Sequence, residues 1–313
     1  MTFLGSLLMQ LMWTALATVP AAVAAVLFTH YSAGSPRLKT WVCRGALVSA
    51  VFVLLAIGVQ VQASLRHERS SGELGWLLSS ALMLLVAVWA GGAIRRIAGL
   101  FRARANVREL CALATPLPSN LEATLRRKVD CPEQVEMRAS DFVDTVVIVY
   151  GASPTIVIPA RLLFDEDLPL AVSHELAHLH HRDSAWNLLY EAIATILWFS
   201  PAILALGKRM RICQELAADA AAIRRHECGA GRYGKMLLRF ADVAPSASPF
   251  MAALGAKGDM VERLEALKPV ALIGRILSVA CFALVLAAMV PMRSADAPSL
   301  LGPLHHTLRH LHH

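Results

Sequence analysis

The sequence predicts a mainly helical membrane protein carrying a small mixed α/β domain on one side of the bilayer. Three observations predict it. The chain of 313 residues is 56% hydrophobic, with a mean hydropathy of +0.53, too apolar for an ordinary soluble domain. Runs of about twenty apolar residues, enough to cross a bilayer as a helix, recur toward both ends. Between them lies a polar stretch where short β-branched runs alternate with helical patterns. The net charge of +7 then reads as cytoplasmic flanks that follow the positive-inside rule. Six cysteines, at 43, 111, 131, 213, 228 and 281, show no C-x-x-C pair and no regular spacing. Reduced, cytosol-facing surroundings explain this better than a disulfide framework.

The first apolar run, residues 4–28, has no Lys or Arg before Arg37. A cleaved signal peptide would begin with basic residues, so this run is expected to be a span with its N-terminus outside. Pro20 should kink it, which membrane helices tolerate. The short basic linker from Ser35 to Lys39 is cytoplasmic by the same rule, and a second span covers residues 41–61. A mixed-charge loop from Arg66 to Glu73 lies outside, and residues 75–94 return as the third span, with Trp76 as an interface anchor. Its exit carries Arg95, Arg96, Arg102, Arg104 and Arg108. That cluster places residues 95–269 in the cytoplasm. Nucleic-acid binding is the competing reading, and it is weaker because these residues directly abut a span.

Within the polar region a helix is expected over Ser119–Val129, capped by Ser119 or Asn120 with Glu122 just inside. Val135–Ala139, Thr145–Val149 and Thr155–Ile158 read as short strands, the last set off by Pro154 and Pro159. Asp165-Glu166-Asp167-Leu168-Pro169 opens the next helix: acids suit its positive end, and proline is tolerated in its first turn.

That helix contains His174-Glu175-Leu176-Ala177-His178, which fits H-E-x-x-H. Residues four apart share a helix face, so both imidazoles can bind one zinc ion. Glu175 is then placed to take a proton from an activated water. A catalytic zinc needs a third protein ligand and an open position. Glu215 is the candidate, with Asp219 four residues on, where it can accept the second N–H of a ligating histidine. The alternative is a pair of solvated acids on a surface helix. Residues 185–206 are apolar enough to be taken for a span, but one crossing would separate Glu215 from the histidines. Pro201 resolves this by breaking the helix. Residues 185–199 rise about 21 Å, and 201–215 return by as much. The expectation is a re-entrant or membrane-surface hairpin over residues 185–213. Glu191 within it is expected to face water, as are His180 and His181. Asp183 is expected to cap the following helix with Ser184. A substrate strand could add along Thr155–Ile158. His226, Arg224, Arg225 and Tyr233 are candidate oxyanion partners that the sequence does not distinguish from plain surface.

Taken together, His174-Glu-Leu-Ala-His178, Asp183, Trp198-Phe-Ser-Pro201 and Glu215-Leu-Ala-Ala-Asp219 resemble the membrane metallopeptidase family of the bacterial β-lactam-sensing signal transducers. Pro154-Thr-Ile-Val-Ile-Pro159 and Val261-Glu-Arg-Leu-Glu-Ala-Leu267 extend the likeness, which covers residues 1–290 and is most specific over 154–223. The resemblance implies a small α+β zincin-type (gluzincin-like) cytoplasmic domain among about four transmembrane helices. It implies zinc held by His174, His178 and Glu215, with Glu175 as general base and acid and Asp219 behind a ligand. It further implies a bacterial inner-membrane protein with both termini outside and the active site facing the cytoplasm. Family members cut proteins there, themselves or a transcriptional repressor among them, and no direct nucleic-acid contact is expected. The heat-shock and CAAX-processing membrane peptidases share H-E-x-x-H and a downstream glutamate, so a quality-control or processing peptidase is the alternative. A non-catalytic zinc-bearing sensor or scaffold is a third reading, which an intact Glu175 argues against.

The sequence also departs from the family. Residues 270–290 read as a final span, with Arg275 able to snorkel at its inner end. The family's penicillin-binding domain is not found after it, so β-lactam acylation is not carried over as the input. Residues 291–313 form a short extracytoplasmic tail with His305, His306, His310, His312 and His313, a cluster able to chelate metal or simply a polar end.

Overall fold

The computed structural model describes residues 2–32, 34–65, 75–151, 153–242 and 256–267. The expected final span over 270–290, the His-rich tail, Cys281 and the loop from Arg66 to Glu73 lie outside these residues. The chain is mainly helical with one small mixed sheet. It opens with three long helices: α1 (Thr2–Tyr31), α2 (Pro36–Leu65) and α3 (Gly75–Ala112). Among the described residues, three stretches are long and apolar enough to cross a membrane: Leu7–Tyr31, Pro36–Ala56 and Met83–Glu109. The α1 helix runs unbroken through Pro20. Two boundaries differ from expectation. The α2 helix starts at Pro36, a residue pre-organised for a first turn. The α3 helix passes Ile94 and continues through all five arginines to Ala112. Arginine is a strong helix former, so these charges do not end the helix.

Next come β1 (Thr115–Pro116), α4 (Ser119–Val129), β2 (Glu136–Ser140), β3 (Val147–Val149) and β4 (Thr155–Pro159). The α4 helix is capped by Pro118, so Ser119 and Asn120 both lie inside it. The two-residue β1 was not foreseen. The sheet order is β1-β2-β4-β3, with β2 and β4 parallel (Met137 opposite Ile156) and the outer pairs antiparallel. Thr155–Ile158 is therefore a central strand with both sides paired. The edge strands are β1 and β3, of which β3 lies beside α5, and strand order is set by long-range pairing that local sequence does not carry.

Five further α-helices follow among the described residues: α5 (Leu168–His180), α6 (Asp183–Ile196), α7 (Pro201–His226), α8 (Ala230–Asp242) and α9 (Ala256–Ala266). The break between α6 and α7 falls at 197–200, with Pro201 in the first turn of α7. One core contains Phe28, Ala46 and Leu47 of α1 and α2 together with Tyr190, Leu197, Ile203, Leu206 and Met210 of the α6–α7 hairpin. Two close approaches lock this packing. A Cβ on Gly92 would stand 2.2 Å from the Trp198 ring, and one on Gly207 would stand 2.0 Å from Tyr190. Trp198 and Trp89 exchange indole N–H bonds with backbone carbonyls, at Trp89 O (3.1 Å) and Ile196 O (2.9 Å). Glu191, expected to face water, instead pairs with Arg96 at 2.7 Å and ties α6 to α3. A second core joins the sheet to α4 and α5 through Leu125, Val129, Met137, Ile156, Ile158 and Val172. The C-terminal half of α7 leaves the first core and packs beside α5, with Ala222 against Leu170 and Tyr233.

Candidate metal centre

The sequence places His174 and His178 one turn apart on α5, and the fold turns both toward α7. His174 Nε2 and His178 Nε2 lie 3.2 Å apart. Glu215 completes a triangle, with Oε2 3.4 Å from His174 Nε2 and Oε1 3.5 Å from His178 Nε2. These three residues form the group of His, Cys, Asp and Glu side chains able to hold a metal among the described residues.

The donor set fits a metal ion. With metal–ligand distances of about 2.0–2.1 Å, two corners of a tetrahedron lie about 3.3–3.4 Å apart, matching the observed triangle. The ring orientations agree. His174 Nδ1 is 3.0 Å from Asp219 Oδ1, and His178 Nδ1 is 2.7 Å from Asp183 Oδ2. Assigned from these bonds, each Nδ1 carries the proton and each Nε2 offers a lone pair to the shared point. Three lone-pair donors converging at this range suit a cation between them. The side chain of Glu215 is 36% exposed, so the centre opens to solvent on that side.

Glu175 points to the sheet side of the centre. Its Oε2 accepts the Ile148 N–H of β3 at 3.0 Å. Burial raises its pKa, the neighbouring histidines oppose that, and the net shift is upward. A carboxylate moved in this direction is a better proton acceptor near neutral pH. Without metal the remaining groups form a charged cluster. Burial works against protonated His174, but hydrogen bonds to Asp219 and Glu215 outweigh it and raise its pKa to about 10. Burial also disfavours ionised Glu215, yet His174, His178 and Arg263 hold its pKa down at about 2. His178 is likewise raised: burial opposes the charge, and Asp183 and Glu215 overcome it.

Several residues around the centre were not foreseen. Arg263 of α9 donates to both oxygens of Asp219, at 2.6 and 2.8 Å, and its Nη1 stands 3.2 Å from Glu215. A buried Asp219 in an alanine-rich segment needs such a counter-charge, which was the available signal. Tyr233, a candidate oxyanion partner, is fully buried and donates to Asp219 Oδ1 at 2.8 Å, so it supports His174 from behind. His226 bonds Ser173 Oγ at 2.7 Å and is already engaged. His180 is exposed and His181 half-buried. Asp183 corrects the expectation that it caps α6: it makes no side-chain capping bond. Arg182, left-handed at φ 56°, turns the chain so sharply that Asp183 folds back onto His178.

No curated protein matches the chain. A profile of the family described as BlaR1 peptidase M56 matches residues 13–267. That match covers most of the chain, including the second and third apolar helices, most of the first and every residue of the centre, and the chain belongs to the BlaR1 peptidase M56 family.

Proposed function

We propose that the chain is a zinc-dependent endopeptidase of the bacterial inner membrane, cutting a protein substrate at the cytoplasmic face in signal transduction. Itself or a transcriptional repressor is the expected substrate. The observation that carries this reading is the triangle of His174, His178 and Glu215 donors, 3.2–3.5 Å on a side, with Glu175 beside it. Membership of a peptidase family supports a hydrolytic role over a structural one. In this reading the domain is gluzincin-like, with Asp219 holding His174 from behind. The α6–α7 hairpin is re-entrant, since its turn packs among residues of the apolar spans. The arginines of α3 support a cytoplasmic site.

Bound zinc would acidify water and polarise the scissile carbonyl. Glu175 takes a proton from the attacking water and returns it to the leaving amine. The Ile148 N–H keeps the carboxylate aimed during both transfers. Because β3 is an edge strand of the sheet and lies against α5, an extended substrate is expected to add there, beside Glu175.

The test is cleavage by full-length wild type and Glu175→Gln in detergent, read on the chain itself and on unfolded casein. Zinc content should be equal, while cleavage falls about a hundred- to ten-thousand-fold in the variant. Equal cleavage by both proteins would remove Glu175 from the chemistry.

A further inference from the structure

We propose that Arg44, a residue of span α2, positions the metal ligand His178 through Asp183, so that a transmembrane helix builds one side of the catalytic centre. The proposal rests on the reading of His178 as a ligand given above. Arg44 stands two turns inside α2, about 12 Å of helix rise from Pro36. Its Nη2 lies 2.5 Å from Asp183 Oδ1, and both side chains are almost fully buried, 5% and 4% exposed. The other oxygen, Oδ2, takes His178 Nδ1 at 2.7 Å. The same Nη2 donates to the His181 carbonyl at 3.1 Å, holding the end of the helix that carries both histidines. The guanidinium lies against both Trp41 and Trp186, its Cζ 5.3 and 5.0 Å from the two ring centroids.

An arginine inside a span is costly and is retained where it is paired and put to use. Here one carboxylate oxygen neutralises the guanidinium and the other fixes the tautomer of a ligand. With Oδ1 on the guanidinium and Oδ2 on His178 Nδ1, Asp183 is held as the acceptor of the imidazole N–H, which fixes the proton on Nδ1 and turns Nε2 toward the metal. Arg44, Asp183 and His178 thus form one continuous chain of hydrogen bonds. A shift of the inner end of α2 moves Asp183, and Asp183 moves the ligand. The placement of a membrane helix is thereby transmitted to the geometry of the centre.

The test uses full-length protein in detergent and measures zinc affinity by chelator competition, the visible spectrum of the cobalt-substituted form, and melting temperature. Arg44→Met keeps the apolar stem against the tryptophans and removes the donors. It should weaken zinc about 10–100-fold and shift the cobalt bands. Arg44→Lys restores the charge without the fork and should fall between Met and wild type. Thr40→Val is the packing control: it removes the bond from Thr40 Oγ1 to the Cys213 carbonyl, one turn away on α2. It should lower the melting temperature with zinc affinity and cobalt spectrum unchanged. Wild-type affinity and spectrum in Arg44→Met, or in Arg44→Lys where the Met variant does not fold, would overturn the proposal. So would a Thr40→Val variant that loses zinc as severely as Arg44→Met. A wild type that binds no zinc would instead defeat the reading of the centre itself.

Discussion

The two histidines of the centre are one helical turn apart, yet they are held by different parts of the molecule. His174 leans on Asp219 of α7, which is held in turn by Tyr233 of α8 and Arg263 of α9. All three belong to elements outside the apolar spans. His178 leans on Asp183 at the start of α6, and the next group is Arg44 of span α2. Each aspartate has an arginine behind it, so the electrostatic solution is the same on both sides. The difference lies in where the arginine is anchored. One side of the centre is fixed by the domain itself and the other by the membrane bundle, and the centre is complete only where the two meet.

The largest effects should come from cutting each side at its aspartate. Asp183→Ala leaves the buried Arg44 without its carboxylate, which costs about 3–5 kcal/mol; Asp219→Ala takes two of the bonds of Arg263 and leaves it only Glu215. Hydrogen exchange on full-length protein separates the two. Asp219→Ala should lose protection in residues 230–242 and 256–266, and Asp183→Ala in the first turns of α2 and at the α5–α6 turn. Loss of protection in the same segments from both variants would break the distinction.

The pH dependence sharpens it. In metal-free protein His174 has a pKa of about 10 against an ordinary 6.5, so its contribution is complete below about 6.5 and fades as pH rises toward 10. Glu215, at about 2 against an ordinary 4.5, contributes fully above about 4.5 and less as pH falls toward 2. Metal-free protein should therefore melt highest between pH 4.5 and 6.5, as far as this cluster decides it. Zinc replaces the imidazolium protons, so it should abolish the alkaline decline and bind more tightly as pH rises from 6.5 toward 10. A flat metal-free melting curve from pH 6.5 to 10 would contradict the cluster.

The smallest effect removes one hydroxyl on the His174 side. Tyr233→Phe takes away the hydroxyl that donates to Asp219 Oδ1 and lies 3.1 Å from His174 Nδ1, and it leaves the Arg263–Asp219 pair in place. It should cost about 1 kcal/mol in stability, read by chemical denaturation. Zinc affinity should change less than it does in Arg44→Met. A larger loss of zinc in Tyr233→Phe would invert the ranking of the two sides.

How much of this was legible in the sequence follows from the range of each interaction. His174, Glu175 and His178 are related by helical period alone, as are Glu215 and Asp219, and local spacing was sufficient to find them. The break at Pro201 was legible because proline ends a helix in any context. The groups behind the ligands were not: Arg44 and Asp183 are 139 residues apart, and Arg263 reaches Asp219 across 44. Asp183 has the spacing of a helix cap, and only the left-handed turn at Arg182 redirects it. The order of the strands, and with it the identity of β3 as an edge strand, depends on pairing between distant segments. Helix α3 outran its expected end because arginine is unfavourable in lipid but favourable in a helix, and the sequence signal reports the first property.

The most direct test of the central claim is zinc K-edge X-ray absorption on the full-length protein, with metal content measured on the same sample. The account predicts about one zinc per chain, bound only by nitrogen and oxygen at about 2.0–2.1 Å, with the scattering pattern of two imidazoles. A sample that holds no zinc, or a shell containing sulfur at about 2.3 Å, would contradict the centre built on His174, His178 and Glu215.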